Sequence, residues 1–479
     1  MLFTTGEYVL FLTAVVTLYW LTPYHRVRVW ILLVASYAFY ASWNRWLALL
    51  IAGTSVADYL VARGMDATPR QRVRKALLLG SLVMNLGLLC YFKYANFFLQ
   101  SLEEGLRAAG ASVSFPVLSV ILPVGISFYT FEAINYTVDV FRRKMPAERH
   151  LDHFLLFILF FPHLIAGPIV RASDLLPQIK KPKRWSWPRV GLGLGLLILG
   201  AFKKLAIADR MVPFVDPVFA DVSKYSSAAS WTAAVAFAIQ VYCDFSGYSD
   251  MALGAAHLVG YKLVINFRMP FLAPNFSDFW RRWHISLSTW LRDYLFIPLG
   301  GSRHGEWKTN RNLLITMTLG GLWHGANWPM VVWGFLQGVL LVAHRLWVAF
   351  LEPFPAARAV LRSPPGTVVR VAFTFALFAI TLAIFRSPTL GAGWEMLTRM
   401  FVPTNGLPTP LLMQAFWVTI VLMAVGHALG WYMTQSPFVW RRAWMEIPAP
   451  VLGVIGAAML VTAVVLAHGA TRAFIYFQF

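Results

Sequence analysis

The chain has 479 residues, of which 58% are hydrophobic and only 13% are Asp, Glu, Lys or Arg, against about 25% charged in ordinary soluble domains. That excludes an ordinary soluble domain and reads as membrane composition. The net charge of +20 sits in short loops between apolar runs, as the positive-inside rule expects of cytoplasmic loops, so nucleic acid is not needed to explain it.

Cys90 and Cys243 lie in apolar or motif-rich stretches. They support neither a disulfide framework nor a thiolate metal site. The 20 Trp suit interfacial belts, where a ring with one N–H is half wet. The first residues lack the basic start of a signal peptide, and no small-residue cleavage site follows, so the first helix is expected to be retained.

Residues 8–21 and 29–42 are short apolar runs divided by His25, Arg26 and Arg28, and residues 46–62 form a third. Arg63, Arg70, Arg72, Arg74 and Lys75 then mark a cytoplasmic loop, which places the N-terminus outside. Residues 76–98 span comfortably, and the polar stretch 101–114 is expected to lie on the outer side. Residues 117–140 span next, with Pro123 and Gly125 interrupting them and Glu132, Asn135 and Asp139 turned into the bundle. Arg142, Arg143, Lys144 and Arg149 return the chain to the cytoplasm.

Residues 151–170 are apolar enough to cross, yet Lys180, Lys181, Lys183, Arg184 and Arg189 make the following loop basic too. Pro162, Gly167 and Pro168 break the run, and a re-entrant pair of half-helices resolves the charge count. His163 then either lines an internal cavity or sits at the interface. Residues 190–208 cross outward with Lys203 and Lys204 near the end, and residues 231–257 cross back carrying Asp244, Tyr248, Ser249 and Asp250. Two isolated carboxylates could not stay ionised in hydrocarbon, so protein partners are expected and a pocket-shaping role is favoured.

Residues 261–311 are expected to form amphipathic helices at the cytoplasmic surface. They contain Phe279-Trp280-Arg281-Arg282-Trp283-His284-Ile285-Ser286 and Pro298-Leu299-Gly300-Gly301-Ser302-Arg303. An apolar limb, residues 311–323, follows and is well short of the roughly 20 residues of a spanning helix. It ends at Gly321-Leu322-Trp323-His324-Gly325-Ala326-Asn327-Trp328, which puts His324 inside the membrane domain. A titratable imidazole at that depth is a functional-site hypothesis by default. From the residues alone, a hydrogen-bonded histidine in a packed turn also remains open. Residues 330–350, 371–385, 411–431 and 451–467 are the remaining spans, with Arg441 and Arg442 inside. The tail, 468–479, falls outside by parity. No linker marks a second domain, so residues 1–479 are expected to form one domain.

The strings around His284 and His324, together with Tyr242-Cys243-Asp244-Phe245-Ser246-Gly247-Tyr248-Ser249-Asp250 and the closing Phe474-Ile475-Tyr476-Phe477-Gln478-Phe479, resemble the membrane-bound O-acyltransferase family. The resemblance is greatest to the bacterial branch that contains alginate O-acetyltransferase and the D-alanyl transferase of teichoic acid modification. It implies an all-α polytopic membrane protein of roughly ten to thirteen helices by the spanning-length rule, with re-entrant and amphipathic segments around a central tunnel.

The implied activity is transfer of an acyl group, acetyl in the first instance, from a cytoplasmic thioester donor across a bacterial inner membrane to an extracytoplasmic polysaccharide. Acetyl-CoA is the expected donor, with no permanently bound cofactor and no metal. An extracytoplasmic esterase-like protein is the expected partner for final delivery. Two alternatives stand beside this reading: D-alanyl transfer from a carrier protein to a cell-wall polymer, and, in a different class, a proton-coupled transporter in which His324 and the membrane carboxylates relay protons.

The family's catalytic histidine falls on His324, with His284 as the second member of the pair, orienting the donor carbonyl or binding its thioester end. For His284, an incidental histidine on a cation-rich surface helix is the competing reading. A histidine, with an unperturbed pKa of about 6.5, suits the proton transfer, burial would hold His324 as a neutral base, and Trp323, Trp328 and Trp283 could wall a narrow tunnel with Asn327, Asp244 and Tyr248. Arg281, Arg282, Arg292 and Arg303 could take the phosphates of coenzyme A or a phosphopantetheine carrier, although most are expected to be ordinary positive-inside residues. Gln337 replaces a histidine common in related sequences, and His344, His427 and His468 are expected to be structural. Tyr476 resembles a tyrosine proposed to relay the acyl group in the D-alanyl pathway, and an aromatic interface anchor is the other reading.

Overall fold

In a computed structural model of the chain, residues 1–164, 167–409, 413–435 and 447–466 are described. Among them, the protein is helical, and no strand extends beyond an isolated bridge between Tyr225 and Leu407. Six helices are long and apolar enough to cross a membrane, and Gly6–Leu21, Leu151–Leu164 and Pro450–Leu466 are shorter apolar helices. Apolar side chains such as Leu10, Leu18 and Val34 are exposed while Glu132, Asn135 and Asp58 are buried. This is the polarity expected of a multi-pass membrane protein, in which lipid replaces water outside and polar groups pair inside. The chain forms two compact units, Met1–Leu197 with Ser249–Val264 and Ile198–Tyr248 with Ile265–Phe479.

In the first unit, Gly6–Leu21 is capped by Thr5, whose side chain accepts from the N–H of Tyr8. It ends where Pro23 restricts the residue before it to extended backbone. Arg45–Ala67 begins on Asn44, which accepts from the N–H groups of Trp46 and Leu47. Asp58 on that helix accepts from Ser81 Oγ at 2.6 Å and Asn85 Nδ2 at 2.9 Å, a buried polar contact that ties it to Gln71–Leu89. The latter continues through a π turn, Cys90–Tyr94, into Ala95–Ala108. Residues 101–108, in the polar stretch expected on the outer side, are therefore helical.

The span expected over residues 117–140 is also corrected, because the helix is Ile126–Phe141 and residues 111–123 are irregular. Gly125 sets this boundary. Its φ is +74°, and a Cβ there would lie 2.6 Å from the carbonyl oxygen of Leu164. The broken run 151–170 appears as Leu151–Leu159 and Phe161–Leu164. His163 is buried, and its Nδ1 lies 3.1 Å from Glu132 Oε1. Glu132 also accepts from the N–H of Val170.

In the second unit, a π turn, Lys203–Ala208, leads into Asp209–Ala220. Residues 227–248 form the first part of Ser227–Leu258. Between residues 265 and 305 the helices are short, Phe276–Arg282 and Ile285–Leu291, with a π turn at Arg292–Phe296. Glu306–His324 then packs antiparallel to Trp328–Phe350. Gly321 and Gly334 make that hairpin possible: a Cβ on Gly321 would lie 2.3 Å from the Met330 carbonyl oxygen, and one on Gly334 2.4 Å from that of Met317. Pro355–Arg362, Pro364–Arg386, Leu390–Phe401, Met413–Gln435 and Ala449–Leu466 complete the unit. Arg441, Arg442 and the tail 468–479 lie outside the described residues.

Candidate active site

His324 is the last residue of Glu306–His324. The helix stops there because Gly325 is extended, and Asn327 starts the next helix by accepting from the N–H of Met330 at 3.0 Å. Asn327, expected along a tunnel, is thus the cap that fixes the turn behind His324. The Gly321–Gly334 contact anchors the same turn one helical turn earlier.

His284 enters from a different direction. It is the N-cap of Ile285–Leu291, with φ +42° and ψ +54°, a left-handed conformation rare outside Gly, Asn and Asp. Backbone bonds hold it there, from the N–H of Ile285 to Asn266 O and from the N–H of Arg268 to Arg282 O, both 2.9 Å. The side chain of Asn266 completes the clamp. Its Oδ1 accepts from Ser286 Oγ at 2.8 Å and Ser286 N at 3.2 Å, and lies 3.3 Å from His284 Nδ1.

The two imidazoles come together, with centroids 6.4 Å apart and planes inclined by 55°. His284 is fully buried and His324 is 4% exposed, so the surface-helix reading of His284 is incorrect. Aromatic rings surround the pair. Trp323 lies 5.1 Å from His324 and 6.0 Å from His284, while Trp333 and Phe385 lie 5.4 and 5.8 Å from His324. Phe245 meets His284 edge-on at 4.6 Å. His284 lies in sequence outside the membrane-spanning helices. Burial, reinforced by neighbouring His324, pushes its pKa well below the ordinary histidine range and holds it neutral. The indole N–H groups of Trp280 and Trp333 and Nε2 of His284 have no hydrogen-bond partner among the described residues.

The other expected site residues make contacts of their own. Trp283 packs in an adjoining aromatic cluster, with Phe267 at 5.2 Å, Phe378 at 5.2 Å and Phe279 at 5.6 Å. Asp244 is held by Lys204 at 2.5 Å, and Lys204 also pairs with Asp209 at 2.9 Å. The ring of Tyr248 lies 5.7 Å from the Lys204 ammonium. Asp244 and Tyr248 therefore belong to a buried charge cluster around Lys204, and Phe245 is the neighbour on that helix that reaches His284. Arg282 is paired with Asp278 at 2.8 Å and Arg292 with Asp293 at 2.7 Å, while Arg281 and Arg303 are exposed.

Gln337 is buried and donates to Thr381 Oγ1 at 2.9 Å. His344 faces Ser277 Oγ at 3.1 Å, and His427 contacts the Met423 carbonyl at 3.0 Å. Among the described residues, no group of three or more His, Cys, Asp or Glu has the arrangement of a metal site. Tyr476 and His468 lie outside the described residues.

Sequence reasoning missed Asn266, Phe245 and Phe385 as neighbours of the histidines. A lone polar residue in Val264-Ile265-Asn266-Phe267 was the available signal for Asn266. Phe245 stands in the quoted string 242–250, but nothing local says that it reaches a histidine, and nothing in the local sequence marks Phe385.

Residues 78–385 match the model of MBOAT, the membrane-bound O-acyltransferase family. The chain is 41% identical over 406 residues to the probable alginate O-acetylase AlgI of Azotobacter vinelandii, covering 84% of this chain and 78% of that protein. It is 36% identical over 406 residues to the peptidoglycan O-acetyltransferase of Helicobacter pylori, covering 79% and 74%. A more distant match, 26% identical over 245 residues, is the teichoic acid D-alanyltransferase of Bacillus subtilis, covering 48% of this chain and 61% of that protein.

Proposed function

The chain belongs to the membrane-bound O-acyltransferase family and is a multi-pass membrane O-acyltransferase; from that premise we propose that it carries acetyl from cytoplasmic acetyl-CoA across the bacterial inner membrane for O-acetylation of an extracytoplasmic polysaccharide. The observation that carries this reading is the pair of buried imidazoles 6.4 Å apart, in a chain 41% identical to a probable alginate O-acetylase.

His324 acts as the general base. Its ring takes the proton of the incoming hydroxyl as the hydroxyl oxygen bonds to the thioester carbonyl carbon. The tetrahedral oxyanion collapses with cleavage of the carbon–sulfur bond, and the imidazolium returns the proton to the departing thiolate. Such positioned proton transfer contributes about 10²- to 10⁴-fold. His284 holds the reacting groups beside that base, and the aromatic wall excludes water that would hydrolyse the thioester. Arg281 and Arg303 meet the donor's phosphates at the cytoplasmic face. Tyr476 takes the acyl group as a phenyl ester, whose leaving group, with a pKa of about 10, keeps a driving force for a second transfer. An esterase-like partner completes delivery to the polymer.

The test is acyl transfer by purified protein in lipid nanodiscs, with labelled acetyl-CoA compared with a D-alanyl-charged carrier protein. Label from acetyl-CoA appearing on protein or polysaccharide, and its loss in His324→Ala, supports the reading. Transfer from the charged carrier alone would replace it with D-alanylation.

A further inference from the structure

We propose that Asn266 is a positioning residue that fixes the tautomer of His284, keeping the proton on Nδ1 so that Nε2 serves as a hydrogen-bond acceptor towards substrate. The inference rests on the acyl-transfer reading for what His284 does, but not for which nitrogen carries the proton.

The argument starts from the main chain. The N–H of Ser286 points at one terminal atom of the Asn266 amide, 3.2 Å away, and Ser286 Oγ lies 2.8 Å from the same atom. A backbone N–H only donates, so that atom is the amide oxygen; the NH₂ group in its place would set donor against donor. The amide oxygen in turn only accepts. His284 Nδ1, 3.3 Å from it, must therefore be the donor, and in a neutral imidazole the lone pair then resides on Nε2. That nitrogen is buried and has no partner among the described residues, and a buried acceptor left unsatisfied is costly unless a ligand uses it.

The backbone is arranged to the same end. His284 occupies a left-handed conformation that costs energy for a side-chain-bearing residue and persists where surrounding bonds over-determine it. The bonds from Ile285 to Asn266 and from Arg268 to Arg282 supply that restraint. They bring the amide of Asn266, 18 positions earlier, against the ring.

The consequence for the reaction is specific. A ring nitrogen bearing a lone pair cannot donate to the thioester carbonyl. His284 therefore receives an O–H or N–H of the substrate, and the polarity of the site at this ring is set by one amide.

Two measurements test this. In wild-type protein labelled with ¹⁵N-histidine in nanodiscs, the signals lost in His284→Gln should belong to a ring protonated at Nδ1 and bare at Nε2. A ring protonated at Nε2 would overturn the proposal, whatever the protein's activity. In the acyl-transfer assay, Asn266→Ala should lower kcat about 10- to 100-fold, the usual cost of losing a residue that orients an imidazole. Asn266→Asp keeps the acceptor but sets a carboxylate against the ring, which raises the imidazole pKa. It should recover turnover at high pH while moving the acid limb of kcat up by about one pH unit or more. A purely structural asparagine would give no such displacement, so an unmoved acid limb in Asn266→Asp would overturn the proposal. If the wild type transferred no acyl group yet carried the Nδ1 proton, the function would fall and the tautomer assignment would stand.

Discussion

At the scale of single residues, the two histidines make different demands on a substitution. His324 sits at a helix terminus whose geometry is fixed by Gly325 and Asn327, so removing its imidazole should leave the turn intact. His324→Gln is expected to lower kcat by about 10²- to 10⁴-fold with an unchanged melting profile, read by acyl transfer and thermal unfolding of the same sample. His284 has a backbone requirement as well. His284→Asn suits the left-handed conformation, which Asn tolerates better than most residues, and should fold normally while losing activity. Tyr476→Phe keeps the ring and removes the nucleophile, so normal polysaccharide acetylation by that variant would exclude the relay.

Both histidines were legible in the sequence because each stands in an unusual string. Their shared surroundings were not, since Phe245, Asn266 and Phe385 reach the site only through tertiary packing. The Lys204–Asp244 pair illustrates the same limit. Each was conspicuous as a charge in an apolar run, but nothing local says that residues 40 positions apart meet.

Among the elements, the hairpin of Glu306–His324 and Trp328–Phe350 governs the site most directly, because its closeness sets where His324 stands. Gly334→Val would place a branched side chain 2.4 Å from the Met317 carbonyl oxygen and 2.7 Å from the Gly321 Cα. Backbone cannot yield as a side-chain tip can. The expected cost is about 1–3 kcal/mol or more, seen as a lower melting temperature with activity reduced in the fraction that folds.

The loop before Leu151–Leu159 offers a contrasting case. Glu148 accepts from the N–H groups of Arg149 and His150 and pairs with Lys180 at 2.7 Å. Burial alone would raise its pKa, but His153, Lys180 and the His150 N–H outweigh burial and bring it from 4.5 to about 2. A carboxylate depressed in the folded state binds its proton more readily when unfolded. Its stabilisation is therefore complete above pH 4.5 and is lost as pH falls towards 2. Glu148→Gln should melt lower than wild type at pH 7, with the difference shrinking below pH 4.5.

Helix identity was read more securely than helix ends. The run 117–140 reads as a span interrupted at Pro123 and Gly125, and Gly125 with its approach to Leu164 starts the helix there rather than at residue 117. The polar residues after Ser101 give a side but no helix end, and the helix carries on to Ala108.

For the molecule as a whole, the arrangement of charge makes a claim about sidedness that a single helix can test. The helical stretch Gln71–Ala108 is continuous over 38 residues, about 57 Å at 1.5 Å per residue, and so exceeds a hydrocarbon core of about 30 Å. Its two ends must then emerge on opposite sides of the bilayer. At one end stand Arg70, Arg72 and Lys75, the cluster that the positive-inside rule assigns to the cytoplasm; just beyond the other stands exposed Ser112. With Cys90, which is exposed, replaced by Ser, intact cells carrying Ser112→Cys should react with a membrane-impermeant maleimide. Cells carrying Arg72→Cys should react only after permeabilisation. The reverse pattern would turn this helix over and move the basic residues at its start to the outside.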